Sequence, residues 1–252
     1  MSNPAMKDAK STAEVDAHLT DLNSGLLTVT GRLIDASNAT LYAICSVDTD
    51  GQVRDIRCIY KPIAGERPLW DFPDGSLANR EYLTFLVSNW LELHLVPPTI
   101  LRDGPYGTGM VQLWIDIDNE IDLAQFYRSD DLRLRSLALL DLIINNTDRK
   151  IGHLLPTRDG HLYGCDHGVT FHADNKLRTV LWQWEGVVFT ADERALLERA
   201  LDIFTHEKLD IISGLITSDE ITAVIKRIER NLESDAFPSP NPDWPAIPWP
   251  PF

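Results

Sequence analysis

No run of about eighteen apolar residues occurs anywhere in the 252-residue chain, so the sequence offers no membrane span. Cysteine is scarce. Cys45, Cys58 and Cys165 are the three, none sits in a Cys-x-x-Cys pair, and no zinc spacing can be assembled from them. So low and odd a count argues against a disulfide framework. Each thiol lies in an apolar, strand-like stretch, where a buried free cysteine is the ordinary state. Basic residues are outnumbered, 23 Lys and Arg against 38 Asp and Glu, which leaves a formal net charge of −15. A surface this acidic repels nucleic-acid phosphates and anionic headgroups, so neither nucleic acid nor stable membrane association is expected. Met1–Ser11 is polar, without an apolar signal core, and neither end reads as an export or lipidation signal; the expected compartment is the cytoplasm.

What is present is a chain that changes character partway along. Ser11-x-x-Glu14 reads as a capping box for a helix reaching about Leu22. Three β-rich stretches follow at 25–34, 40–48 and 53–61. The first pair is joined by the turn Asp35–Asn38 and the second by Asp50-Gly51, a hairpin signal. A Pro- and Gly-rich loop covers 62–75. A helix capped by Ser76 carries Glu81 and ends near Leu93, before Pro97-Pro98. Strands are expected at 99–102 and 109–115, a short helix at Asp122–Tyr127, and a buried helix at 131–145. A hairpin at 151–156 and 161–165 turns at Asp159-Gly160, and 190–235 is helical in pieces. The tail 236–252 holds seven of the fifteen prolines and two of the seven tryptophans. The order predicts an α+β fold of two lobes: a small antiparallel β-rich lobe at 25–115 and a larger, mainly helical lobe at 116–235. An extension at 1–24 precedes them, the tail 236–252 follows, and the crossing lies near Trp114–Asn119.

Three clusters carry residue types suited to phosphoryl transfer, which needs a cation on nucleotide phosphates, a carboxylate near the attacking hydroxyl, and ligands for a divalent metal. Lys61 ends the third strand and Glu81 lies twenty residues on in a helix; alone, each also reads as a solvated charge. Asp148-Arg149-Lys150-Ile151-Gly152-His153 follows an apolar helix directly. Asp148 suits a hydroxyl-proton acceptor and His153 a neutral imidazole ligand, while Asn145-Asn146 equally suits a helix C-cap. Asp166-His167-Gly168 follows a strand, as a metal-gripping aspartate does and as an ordinary turn does too. It is the order and spacing of the three, with Asp166 thirteen residues beyond His153, that single them out.

With these motifs in hand, the chain over roughly 25–235 resembles the phosphatidylinositol 3-/4-kinase-like superfamily, in particular a group of small actinobacterial proteins. The carriers are Tyr60-Lys61-Pro62, Gly65 to Pro73, Arg80-Glu81, Val96 to Thr99, Gly109 to Gln112, Asn145 to His153 and Gly164 to Gly168. The resemblance implies a two-lobed kinase-like fold and an atypical kinase that moves the γ-phosphate of ATP to a protein or small soluble acceptor, possibly itself. It implies Lys61 and Glu81 on the phosphates, the segment of Met110, Val111, Gln112 and Leu113 against adenine, Asp148 and Arg149 as catalytic residues, and Asp166 with His153 on Mg²⁺ or Mn²⁺. In two places the chain departs from the family. His153 stands where an asparagine ligand is usual, and imidazole suits Mn²⁺ better than Mg²⁺. The turn at Asp35–Thr40 has no glycine. These departures motivate an alternative, a nucleotide-binding pseudokinase acting as scaffold or switch.

The remaining features have plainer readings. Asp116, Asp118 and Asp122 form an acidic, solvated run near the crossing. Trp182 and Trp184 are expected to pack in the body, and His167 either faces the nucleotide or serves its own turn. The tail is expected to lie along the body with Trp244 and Trp249 as anchors, or else to be a free recognition segment.

Overall fold

The computed structural model describes residues 12–33 and 38–252. Ser11 and residues 34–37, which include the first half of the glycine-free turn expected at Asp35–Thr40, lie outside the described residues. Helix α1 (Thr12–Ser24) leads into a sheet of β1 (Leu26–Arg32), β2 (Leu41–Thr49) and β3 (Gln52–Pro62). The sheet is completed by β4 (Thr99–Gly104) and β5 (Gly107–Leu113) in the order β1-β2-β3-β5-β4, every neighbour antiparallel. The β2–β3 turn forms at Asp50 and Gly51, both at positive φ (54° and 81°), as a tight primed turn requires. Alternation then does the rest. Leu41, Ala43 and Cys45 of β2 and Ile56, Cys58 and Tyr60 of β3 point to one face and form a small core with Leu22 of α1.

Helix α2 (Leu77–Trp90) crosses between β3 and β4. Ser76 does not cap it as expected; its hydroxyl donates to the Pro73 carbonyl (2.6 Å). Glu66 caps instead, its two carboxylate oxygens accepting the Leu77 and Ala78 N–H groups (3.1 and 2.9 Å). Although α2 falls within the stretch expected to form the small lobe, Leu83, Phe85 and Val87 bury themselves in the large core shared with the helices. That core centres on α4 (Leu132–Ile144), apolar on nearly every face and therefore interior. After the short α3 (Leu123–Phe126) and α4 come the hairpin β6 (Leu154–Pro156) and β7 (Leu162–Gly164), then α5 (Ala191–Asp202), a π-helical turn (Ile203–Glu207), α6 (Leu209–Ser213) and α7 (Ser218–Ser234). No helix among the described residues is long and apolar enough to cross a membrane.

The three thiols are free, Cys45 and Cys58 buried and Cys165 half-buried. The tail lies along the body. Phe237 and Ala246 supply carbonyls to Gly186 and Thr179, and Pro251 supplies one to Ile151 (2.9, 3.0 and 2.8 Å). Trp244 packs as expected, but Trp249 is 88% exposed and anchors nothing.

Close approach of β5 to β3 makes Gly109 obligatory. A methyl there would meet the Lys61 carbonyl and stand 2.6 Å from Pro62 Cα, both backbone. Gly109→Ala should therefore cost about 1–3 kcal/mol by overpacking. It should also shift Lys61 on the neighbouring strand, and a lowered melting temperature by calorimetry would register the change.

Candidate functional site

Lys61 sits near the C-terminal end of β3, where its side chain leaves the sheet toward the helical lobe. Its Nζ donates to Glu81 Oε1 of α2 (2.6 Å) and to Asp166 Oδ1, just past β7 (2.7 Å). The second oxygen of Glu81 accepts the His167 backbone N–H (2.8 Å), so Glu81 tethers the Asp166 turn directly. Glu81 is buried, Lys61 is partly buried, and the Asp166 side chain is half exposed. Burial alone would lower the Lys61 pKa, but Asp166 and Glu81 override it and hold the ammonium above its usual value. Asp166 is held far below the ordinary carboxylate range by Lys61, with His153 adding to the effect. Burial pushes Glu81 upward against the pull of Lys61, although both its oxygens accept hydrogen bonds as a carboxylate's do.

The loop after α4 begins as a helix C-cap. Asn145, at φ 51°, is the left-handed C-cap of α4. Asn146 Oδ1 accepts the Asp148 N–H (3.0 Å), and the Asp148 carboxylate reaches the cleft between Lys150 (3.1 Å) and Arg178 (3.2 Å). Arg149 turns the other way. Expected among the catalytic residues, it is fully buried and forks onto Asp141 (2.9 and 2.8 Å), with further bonds to the Cys165 carbonyl (3.0 Å) and His167 Nε2 (2.6 Å). It positions the Asp148 and Asp166 turns relative to each other and touches no open space. His167 is likewise fully buried, so it serves its turn and does not face the cleft.

His153 Nε2 lies 3.5 Å from Asp166 Oδ2. The Lys150 backbone N–H points at His153 Nδ1 (3.4 Å), which assigns the ring proton to Nε2, facing Asp166. Burial lowers the imidazole pKa and keeps the ring neutral, against the opposing pull of Asp166. No group of three His, Cys, Asp or Glu side chains is gathered for a metal among the described residues.

Two cavities meet at Lys61 and Asp166. The larger, of about 1280 Å³, opens between the lobes and is walled by Ile59, Leu113, the crossing segment and Leu155. Of the segment expected against adenine, Gln112 and Leu113 line it. Met110 and Val111 do not: both are fully buried, on opposite faces of β5, and the wall continues instead through Trp114 to Ile117. The apolar side chains at the crossing were missed because their exposure depends on where β5 ends. A smaller cavity of about 490 Å³ lies on the Asp148 side. Of the acidic run, Asp116 pairs with Arg57, Asp118 accepts the Glu120 N–H (3.0 Å), and Asp122 caps α3 through the Ala124 N–H (2.9 Å). Trp184 is buried, and the Trp182 indole N–H donates to the Ala246 carbonyl of the tail (2.9 Å).

No family model matches the chain. Among solved structures, a Golgi casein kinase superposes with a TM-score of 0.51 at 13% identity, over 89% of this chain and 75% of that one. The Helicobacter pylori proinflammatory kinase CtkA gives a TM-score of 0.45 at 11% identity, over 86% of this chain and 94% of that one. The first likeness shows a kinase-like fold. In sequence, Protein Rv2133c of Mycobacterium tuberculosis is 41% identical across 92% of this chain and 94% of its own length. At that identity and coverage, the chain belongs to the family of Protein Rv2133c.

Proposed function

We propose that the protein is an ATP-dependent phosphotransferase, an atypical kinase of phosphatidylinositol 3-/4-kinase-like type. The observation that carries this reading is the single ammonium of Lys61 bonded at once to Glu81 and Asp166, at the junction of the interlobe cleft with the cavity that holds Asp148. Three remote segments converge there on the arrangement that orients α- and β-phosphates. Adenine would lie against Gln112, Leu113 and the crossing segment. Asp148 would receive the acceptor hydroxyl proton as the hydroxyl oxygen bonds to the γ-phosphorus and the bridge to the β-phosphate breaks, releasing ADP.

The donor set fits a divalent cation shared with the nucleotide. Mg²⁺ is commonly held by one or two carboxylates plus substrate phosphates, and the half-exposed Asp166 supplies one. His153 would join it only by baring the nitrogen that now faces Asp166, 3.5 Å away. The cation, Mg²⁺ or Mn²⁺, supplies neutralisation of phosphate charge. A second reading, a nucleotide-binding pseudokinase, is favoured by one observation: Asp148 is held between two cations, Lys150 and Arg178.

Purified protein incubated with γ-labelled ATP and either metal tests both readings, with label transfer, free phosphate and melting temperature followed together. Transfer or hydrolysis that disappears in Asp148→Ala and in Asp166→Ala is the expected result. A nucleotide-dependent rise in melting temperature without turnover selects the pseudokinase. No rise with either metal removes the nucleotide altogether.

A further inference from the structure

The smaller cavity is built like a ligand site in its own right. Its volume of about 490 Å³ falls within the range of small-molecule pockets, roughly 300–1,000 Å³. Its walls come from segments far apart in the chain: the flap at 66–72, the first turn of α2, the turn after Asp166, and Trp244 of the tail.

The charges inside it are unusual for so acidic a protein. Every carboxylate lining the cavity already has a hydrogen-bond or ion-pair partner within the protein. Glu66 caps α2, Asp71 pairs with Lys176 (2.7 Å), Glu81 and Asp166 share Lys61, and Asp148 lies between Lys150 and Arg178. Two guanidinium groups face the same space. Arg178 is fixed by Nε donating to the Thr147 carbonyl (2.7 Å), whereas Arg67 has no ion pair among the described residues; only its backbone N–H is engaged, to Asn38 Oδ1 (2.9 Å). Arg67 is therefore a cation of the lining without a carboxylate partner among the described residues, and guanidinium forks match carboxylate and phosphate oxygens.

The outer end is closed. The Lys176 ammonium lies 4.8 Å from the Trp70 ring centre and 4.9 Å from that of Trp244, so one cation joins the flap to the tail. Trp244 cannot swing away freely, because Ala246, two residues on in the tail, accepts from the Thr179 N–H and the Trp182 indole. An extended polypeptide would have to displace this closure; a small molecule would not. Trp70 remains 86% exposed, an aromatic face available to cover an organic ligand.

Resting on the phosphotransferase reading, we propose that this cavity is the acceptor site and that the acceptor is a small anionic alcohol, a hydroxyl-bearing molecule with a phosphate or carboxylate group. Arg67 and Arg178 hold the anion, Trp70 and Trp244 cover the carbon skeleton, and Asp148 meets the hydroxyl.

Inorganic phosphate, glycerol 3-phosphate, D-glycerate, glycerol and a serine-containing peptide serve as probes, on the full chain and on Arg67→Ala and Trp244→Ala. Arg67 is exposed, so its removal leaves the fold intact. The anionic probes should raise the melting temperature and glycerol should not. Arg67→Ala should weaken phosphate binding at least tenfold, and Trp244→Ala should weaken glycerol 3-phosphate more than inorganic phosphate. Absence of any anion effect, an effect unchanged in Arg67→Ala, or label transfer to the peptide alone would each overturn the proposal. The ATP-dependent melting shift is read separately. If it is present while the anions fail, the acceptor site falls and the phosphotransferase reading stands. If ATP fails while the anions bind through Arg67, the phosphotransferase reading falls and an anion pocket remains.

Discussion

Lys61→Met should lower phosphoryl transfer by about 10²–10³-fold, the range seen when one preorganised charge is removed from an active site. The same substitution should also destabilise the protein, and that second effect makes the experiment discriminating. Glu81 is buried with its Oε1 on Lys61. Removing one partner of a buried ion pair typically costs about 3–5 kcal/mol, because the remaining charge is stranded. For a chain of this size that is a fall in melting temperature of roughly 10 °C. Lys61→Met with Glu81→Gln should recover most of the stability, since the amide still accepts the His167 N–H and carries no charge. It should recover none of the turnover. Calorimetry and label transfer on the four proteins of the cycle measure both quantities, and a Lys61→Met protein as stable as the parent would mean that Glu81 carries no charge to strand.

Arg149→Met should be the most destabilising single change in the loop of Asp148, by about 3–5 kcal/mol or more, a large share of the ~5–15 kcal/mol that ordinarily separates folded from unfolded. The side chain is fully buried and holds Asp141, the Cys165 carbonyl and His167 together. Its loss strands the Asp141 carboxylate, also fully buried. Arg149→Lys should rescue little, since an ammonium cannot reproduce the fork that spans these partners. Adding Asp141→Asn should return part of the loss. Chemical denaturation with two probes reads the ordering, which is Arg149→Met weakest, Arg149→Lys close to it, and the Asp141→Asn combination above both. The placement of Arg149 assigns it a scaffolding function, so any fall in transfer activity in these proteins should track the loss of fold.

Local chemistry made much of the fold readable in advance. Asp50-Gly51 dictates the turn, period-two alternation places Leu41, Ala43 and Cys45 on one face, and the apolar run at 131–145 could only be an interior helix. Lys61, Asp148 and Asp166 could be singled out because each ends or follows a regular element, where a side chain is free to leave the scaffold; Glu81, within α2, stood out by its place in a helix twenty residues after Lys61. What stayed hidden depends on distant partners. Ser76 looks like a cap until Glu66, ten residues earlier, takes the helix N–H groups. Arg149 beside Asp148 looks like a second catalytic group until Asp141 claims it from within. Met110 and Val111 fit an adenine wall by position, yet their burial on the two faces of β5 depends on what packs there, with β3 and β4 on either side. The smaller cavity was unreadable for the same reason: Arg67, Arg178 and Trp244 belong together only in three dimensions.

The bond from the Ile151 N–H to the Pro251 carbonyl ties the loop of Asp148 to a segment made roughly a hundred residues later. At synthesis rates of about 5–20 residues per second, the loop waits roughly 5–20 s on the ribosome for that brace. The nascent chain therefore carries its chemistry in an unfinished state until the strap arrives. Proteolytic removal of Pro251 would act on the loop of Asp148 as directly as a substitution within it.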